Sequence, residues 1–202
     1  MIRTIFFDIG GVLLSNAWDH EDRAQALQVF GLDAAEFESR HKSLVDAFEK
    51  DGLSLDEYLD RTVFYKQRPF TREAFTEYMH SRTKPKNDSI ELARGIARTT
   101  RYLMGIINNE SKELNLARIQ NFGLKEIFKI FVSSCFVGLR KPEPEIYKLA
   151  LELTQSEPEA CCFIDDREAN LKPPAALGMH TILMQNAEQL QRELVQLGVK
   201  VS

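Results

Sequence analysis

Five short apolar runs, Thr4 to Phe7, Tyr102 to Ile107, Ile130 to Ser133, Cys161 to Ile164 and His180 to Met184, punctuate the chain, with helical patterns between them. No other feature constrains the fold as much. A strand buried on both faces reads as a continuous apolar run, and strands separated by helices pair in parallel through crossovers. The chain is therefore expected to be α/β, a parallel sheet covered by helices on both faces. Ligands of such sheets lie beyond the carboxyl ends of the strands. Asp8, Asn108 and Asp165 each follow one of the runs, which places all three at one rim.

Between about Asn16 and Thr83 the strand signal disappears. A helix is expected over Asp22 to Phe30, stopping at Gly31. Asp33-Ala-Ala-Glu36 reads as a helix cap, with Phe37, His41, Leu44, Val45 and Phe48 on one face behind it. Ser54-Leu-Asp-Glu57 reads as a capping box before Leu55, Tyr58 and Leu59, and Thr71 after Pro69 starts a helix carrying Phe75, Tyr78 and Met79. About four helices are thus inserted after the first strand. Lys84 to Asp88, with its Lys-Pro-Lys, is the expected return hinge.

The chain has 202 residues, enough for one domain or one domain with an insertion. A formal charge of -4 gives no electrostatic reason to favour nucleic acid or acidic membranes, and small neutral or phosphorylated molecules remain as ligands. No apolar run approaches the roughly 18 residues that span a bilayer, and the N-terminus has no signal-peptide pattern, so a cytoplasmic protein is expected. The cysteines, Cys135, Cys161 and Cys162, fit neither a disulfide framework nor a metal-site spacing and read as buried thiols. The histidines at 20, 41, 80 and 180 are scattered without ligand spacing and read as surface or core residues. Gly10-Gly11 is not a nucleotide-binding fingerprint.

Each polar residue at the rim has a plain reading when taken alone. Asp8 can cap the turn after a strand, Asp165-Asp166 can begin a helix, Asn108-Asn109 can make a turn, and Lys141 before Pro142 can be a solvated loop charge. Taken together, FFDIGGVLL, GIINNES, GLRKPEPEIY and CCFIDDREANLKPPAALGM resemble, in order, the four motifs of the haloacid dehalogenase superfamily. Within it, SCFVGLRKPEPEIY and DDREANLKPPAALGM are similar to the N-terminal phosphatase domain of soluble epoxide hydrolases. Four ordered motifs are far more specific than any one of them, and the resemblance covers nearly the whole chain.

The resemblance implies a three-layer αβα Rossmann-like core, residues 1–15 and 86–202, with a helical cap domain, residues 16–85. It implies a hydrolase, a magnesium-dependent phosphatase of a small phosphorylated metabolite. Asp8 would be the nucleophile that forms an aspartyl phosphate. Magnesium would be held by Asp8, the Gly10 carbonyl and Asp166, with Asp165 and Asn170 orienting that shell from behind. Lys141 would supply positive charge between nucleophile and phosphate, and Asn108 with Asn109 would donate hydrogen bonds to phosphate oxygens. Trp18, Phe48 and Tyr58 are the candidate contacts of that cap with substrate, though a helix-bundle core accounts for Phe48 and Tyr58 at least as well.

Two positions depart from the family pattern. Active phosphatases of the superfamily usually carry a second aspartate two residues after the nucleophile, as general acid and base, and here that residue is Gly10. The usual threonine or serine of the second motif is Asn108, which still offers N–H donors. Turnover is therefore expected to be slow or sensitive to the leaving group. Glu110 is the candidate replacement acid, a solvated surface carboxylate being its plainer reading. Two other readings stand beside the phosphatase: a non-enzymatic module that binds phosphate or a protein partner, supported by Gly10, and a metal-free dehalogenase, which the Asp165-Asp166 pair disfavours. The oligomeric state and the substrate are not legible.

Overall fold

A computed structural model describes residues 1–201. Five strands, β1 (Thr4–Phe7), β2 (Leu103–Asn108), β3 (Ile130–Ser133), β4 (Cys161–Asp165) and β5 (His180–Leu183), form one parallel sheet in the spatial order β3-β2-β1-β4-β5. β1 is central, so the residue that follows it is flanked on both sides by strand ends. Phe7 pairs with Ile106 of β2 and Ile164 of β4, which brings Asp8 level with Asp165. β2 and β4 each run one residue past their apolar runs, because Asn108 pairs with Ser133 and Asp165 with Leu183.

Side chains alternate across the sheet and make a core on each face. Ile5 and Phe7 face one core with Ile90, Ile96, Ile119, Leu190 and Leu194, which come from α5 (Asn87–Arg98), α6 (Lys112–Asn121) and α11 (Ala187–Gln196). Phe6 faces the other with Ile146, Tyr147 and Leu171, from α9 (Pro144–Thr154) and α10 (Glu168–Ala176). Two short helices, α7 (Leu124–Ile127) and α8 (Ser134–Val137), flank β3. Helix, sheet and helix are the three layers the apolar runs imply.

Between β1 and α5 lie four helices, α1 (His20–Val29), α2 (Ala34–Glu49), α3 (Leu55–Thr62) and α4 (Arg72–Ser81), with an apolar cluster of their own around Trp18, Phe37, Phe48, Tyr58 and Phe75. Local capping sets their starts. The side chains of Asp33, Ser54 and Thr71 accept from the backbone of Glu36, Glu57 and Ala74, and Ser54 with Glu57 closes a full capping box. α1 begins before Asp22 because Asp19 caps it, accepting from Asp22 N.

The two chain segments that lead into and out of this bundle run side by side. Ser15 N donates to Lys84 O at 2.8 Å, Lys86 N donates to Leu13 O at 2.9 Å, and Leu14 bridges to Pro85. The three cysteines are free and buried. Among the described residues no helix is long and apolar enough to cross a membrane.

Candidate active site

At the rim of the sheet, Asp8, Asp165 and Asp166 bring carboxylate oxygens within 4.8 Å of one another. β1 and β4 impose this by ending side by side. The Lys141 ammonium is driven between two of them, 2.8 Å from Asp8 Oδ1 and 2.6 Å from Asp165 Oδ2. Ile9 N also donates to Asp8 Oδ1, so Asp8 Oδ2 is the oxygen left without a hydrogen bond. Asp165 is fully buried and fully used, since its Oδ1 accepts from Arg167 N at 2.8 Å and Asn170 Nδ2 reaches both its oxygens. Asp166 differs: its Oδ1 is buried without a hydrogen-bond partner.

The electrostatics follow from this crowding. Burial pushes the Asp8 carboxyl above the usual carboxylate range, Lys141 opposes it, and Asp165 and Asp166 add to the rise. Burial works against the Lys141 ammonium, but Asp8 and Asp165 outweigh it and hold its pKa up. Three carboxylates against one ammonium leave two uncompensated negative charges. A divalent cation with a preference for oxygen fits that deficit and the orphaned Asp166 oxygen together. Gly11 is what lets Asp166 come so near: with φ at +72°, it occupies a conformation that favours glycine, and a Cβ there would stand 2.0 Å from Asp166 Oδ2.

The amides of the second motif also make bonds within the site. The Asn109 amide donates one N–H to Lys141 O and accepts from Lys141 N, both at 2.8 Å, so it fixes the lysine and keeps a second N–H. Asn108 uses one N–H on Asn115 Oδ1 at 2.9 Å and keeps a second. Glu110 is not a solvated surface acid. It is 9% exposed, its Oε1 accepts from Ser111 N, and its Oε2 lies 3.0 Å from Arg118 Nη1. Arg118 itself was invisible as a site residue in the sequence, because only the fold brings α6 against the inserted bundle's hinge.

A cavity of about 480 Å³ opens above these groups. Asp8, Gly10, Glu110, Lys141 and Asn170 line its sheet side, and Trp18, Arg23, His41, Phe48 and Glu49 line its bundle side. Trp18 is held by a bond from Nε1 to the Tyr58 hydroxyl, and Phe48 stacks on Tyr58 with ring centroids 4.1 Å apart. Tyr58 is fully buried behind them and is not among the lining residues. The histidines fit the expected surface and core positions: His20 is largely exposed and His41 is buried, and both border the cavity. Burial, with Arg23 and Arg140 nearby, lowers His41 to about 4 and keeps it neutral.

A sheet-end carboxylate beside a buried lysine, an acid pair one strand over and a helical insertion after the first strand define a hydrolase class. Residues 2–178 match the haloacid dehalogenase-like hydrolase family, and the chain belongs to it. It is 32% identical over 165 residues to flavin mononucleotide hydrolase 1 of Arabidopsis thaliana, covering 82% of this chain and 66% of that protein. It is 44% identical over 71 residues to bifunctional epoxide hydrolase 2 of Sus scrofa, covering 35% of this chain and 13% of that protein, so it spans only part of the length of these relatives. A haloacid dehalogenase family enzyme of Bacteroides thetaiotaomicron shares the fold, with a TM-score of 0.80 at 20% identity over 96% of this chain and 98% of that one. The same enzyme has been solved as a magnesium complex and with magnesium and inorganic phosphate.

Proposed function

We propose that this hydrolase is a magnesium-dependent phosphomonoesterase that acts on a small phosphorylated metabolite through a phosphoaspartate at Asp8. The observation that carries this reading is the pairing of Lys141 with Asp8 Oδ1, which leaves Oδ2 without a hydrogen bond in a carboxylate cluster where Asp166 Oδ1 is also unpartnered. Asp8, the Gly10 carbonyl and Asp166 would hold the magnesium. When bound, it neutralises the carboxylates and the approaching phosphate. Asp165 and Asn170 brace this group from behind.

In the reaction, Asp8 Oδ2 bonds to phosphorus as the bond from phosphorus to the leaving oxygen breaks. Lys141 offsets the charge on Asp8 and the phosphate, and the remaining N–H groups of Asn108 and Asn109 donate to phosphate oxygens. Residues 16–85 act as a cap on a core made of residues 1–15 and 86–202, excluding water from the cavity and reading the leaving group through Trp18. Gly10 carries no proton, so a basic leaving group depends on a carboxyl elsewhere in the cavity. A phosphate-release screen of phosphorylated metabolites, with and without magnesium, tests the reading. Magnesium-dependent release that Asp8→Asn abolishes is expected. Phosphate bound but never released would instead support a binding module, and halide release without metal would support a dehalogenase.

A further inference from the structure

Glu49 is the last residue of α2 and lines the bundle side of the cavity, opposite Asp8 and Lys141. Its place is fixed from two sides. Phe48, its neighbour, is locked by stacking on Tyr58, and Arg140 Nη2 lies 2.7 Å from Glu49 Oε2. Arg140 immediately precedes Lys141, so the chain that presents the lysine to Asp8 also presents Glu49 to the cavity. The Arg140 contact is an ion pair without a hydrogen bond, so Glu49 Oε2 is buried with its hydrogen-bonding capacity unused. Of the other carboxyls on the cavity wall besides Asp8, Glu110 has both oxygens committed, to Ser111 N and to Arg118, and Asp19 is held as the cap of α1, its Oδ1 accepting from Asp22 N.

Resting on the phosphatase reading, we propose that Glu49 is the general acid and base of the reaction, supplied by the cap where Gly10 leaves none. In the first step Asp8 bonds to phosphorus, the bond from phosphorus to the leaving oxygen breaks, and the Glu49 proton passes to that oxygen. In the second step a water gives a proton to the Glu49 carboxylate while its oxygen bonds to phosphorus. The bond from phosphorus to Asp8 breaks, and both carboxyl groups return to their starting states. Burial raises the Glu49 carboxyl to about 7, with Arg140 opposing, Glu110 adding to the rise, and Arg167 and Lys141 opposing. A carboxyl in that range exchanges protons in both directions near neutral pH.

A plain clamp between cap and core is the competing role for the Glu49 and Arg140 pair, and kinetics separate the two. The comparison uses wild type, Glu49→Gln, Glu49→Asp and Glu110→Gln with p-nitrophenyl phosphate, whose leaving group needs little protonation, and glycerol phosphate, whose leaving group needs it fully. Glu49→Gln is expected to lose about 10²-fold to 10⁴-fold on glycerol phosphate and far less in the p-nitrophenol burst. Slow steady-state release should follow that burst, because the phosphoaspartate then lacks its base. Glu49→Asp keeps a carboxyl and should recover part of the glycerol phosphate rate. Glu110→Gln should lower both substrates in proportion. Partial unfolding lowers both substrates equally and cannot imitate the change in their ratio. Equal loss on both substrates without a burst, or a selective loss in Glu110→Gln instead, would overturn the assignment of Glu49 while leaving the phosphatase reading intact. A wild type that hydrolyses neither substrate would overturn the phosphatase reading and Glu49's role with it.

Discussion

Arg118 lies with Nη1 3.0 Å from Glu110 Oε2, and the same guanidinium donates through Nη2 to the Ser15 carbonyl at 2.7 Å and through Nε to Thr83 Oγ1 at 3.4 Å. Ser15 and Thr83 stand where the chain enters and leaves the inserted helices. One buried cation of the core therefore grips both linkers and the carboxyl at the rim of the sheet.

Removing that cation should be costly, because Glu110 would be left as a buried charge without its partner. Arg118→Met is expected to lower unfolding stability by about 3 kcal/mol, near the lower end for breaking a buried pair. Urea denaturation of the variant checks this. A midpoint equal to that of wild type would mean that the pair contributes no more than an exposed one.

Gly11 should tolerate no side chain. A Cβ there meets Asp166 Oδ2 at 2.0 Å and the backbone is already left-handed, so Gly11→Ala must displace the acid assigned to the metal. Calorimetry should find magnesium binding weakened in Gly11→Ala and in Asp166→Ala alike. Wild-type affinity in both variants would remove Asp166 from the metal site.

The parts of this molecule that were legible in the sequence are those fixed by local rules. The apolar runs marked the strands to within a residue, and the caps at Asp33, Ser54 and Thr71 marked helix starts, because a cap is a bond between residues three apart in the chain. Asp8 and Asp165 were legible as one site because they end parallel strands. Arg118, Arg140 and Glu49 were not, since their partners lie far away in sequence: Arg118 with Ser15 and Arg140 with Glu49. Asn109 was legible as a site residue, but its bonds to the Lys141 backbone follow from a loop conformation that no spacing rule encodes.

Gly10 does not need the left-handed conformation of Gly11, so its replacement is open to test. A Cβ at Gly10 would stand 3.0 Å from Asn16 Oδ1, a side-chain atom able to move, and 3.9 Å from Arg118 Nη1. Gly10→Asp is therefore expected to fold and to return a proton donor to the place where the family usually has one. Introduced into Glu49→Gln, it should restore glycerol phosphate turnover more than p-nitrophenyl phosphate turnover. Equal effects on the two substrates would show that protonation of the leaving group is not what the variants lack.

His41 makes stability depend on pH. Its Nδ1 pairs with the Tyr58 hydroxyl at 2.8 Å, and the fold lowers its pKa from 6.5 to about 4. Between these values the unfolded chain binds a proton that the folded protein does not, so stability rises with pH. The contribution is complete above pH 6.5 and is lost as pH falls toward 4. Thermal melts across this window should show a shallower pH dependence in His41→Gln than in wild type. Parallel curves would mean that His41 titrates normally.

Asp8 is assigned as the nucleophile that takes up the phosphoryl group, and chemical trapping of its phosphorylated form tests this most directly. Borohydride reduces an acyl phosphate but not a free carboxylate. After a quench during turnover of p-nitrophenyl phosphate with magnesium, peptide mass analysis should find Asp8 converted to homoserine in wild type and in larger yield in Glu49→Gln, with no conversion without substrate. Steady phosphate release with Asp8 recovered unmodified in both proteins would contradict the account.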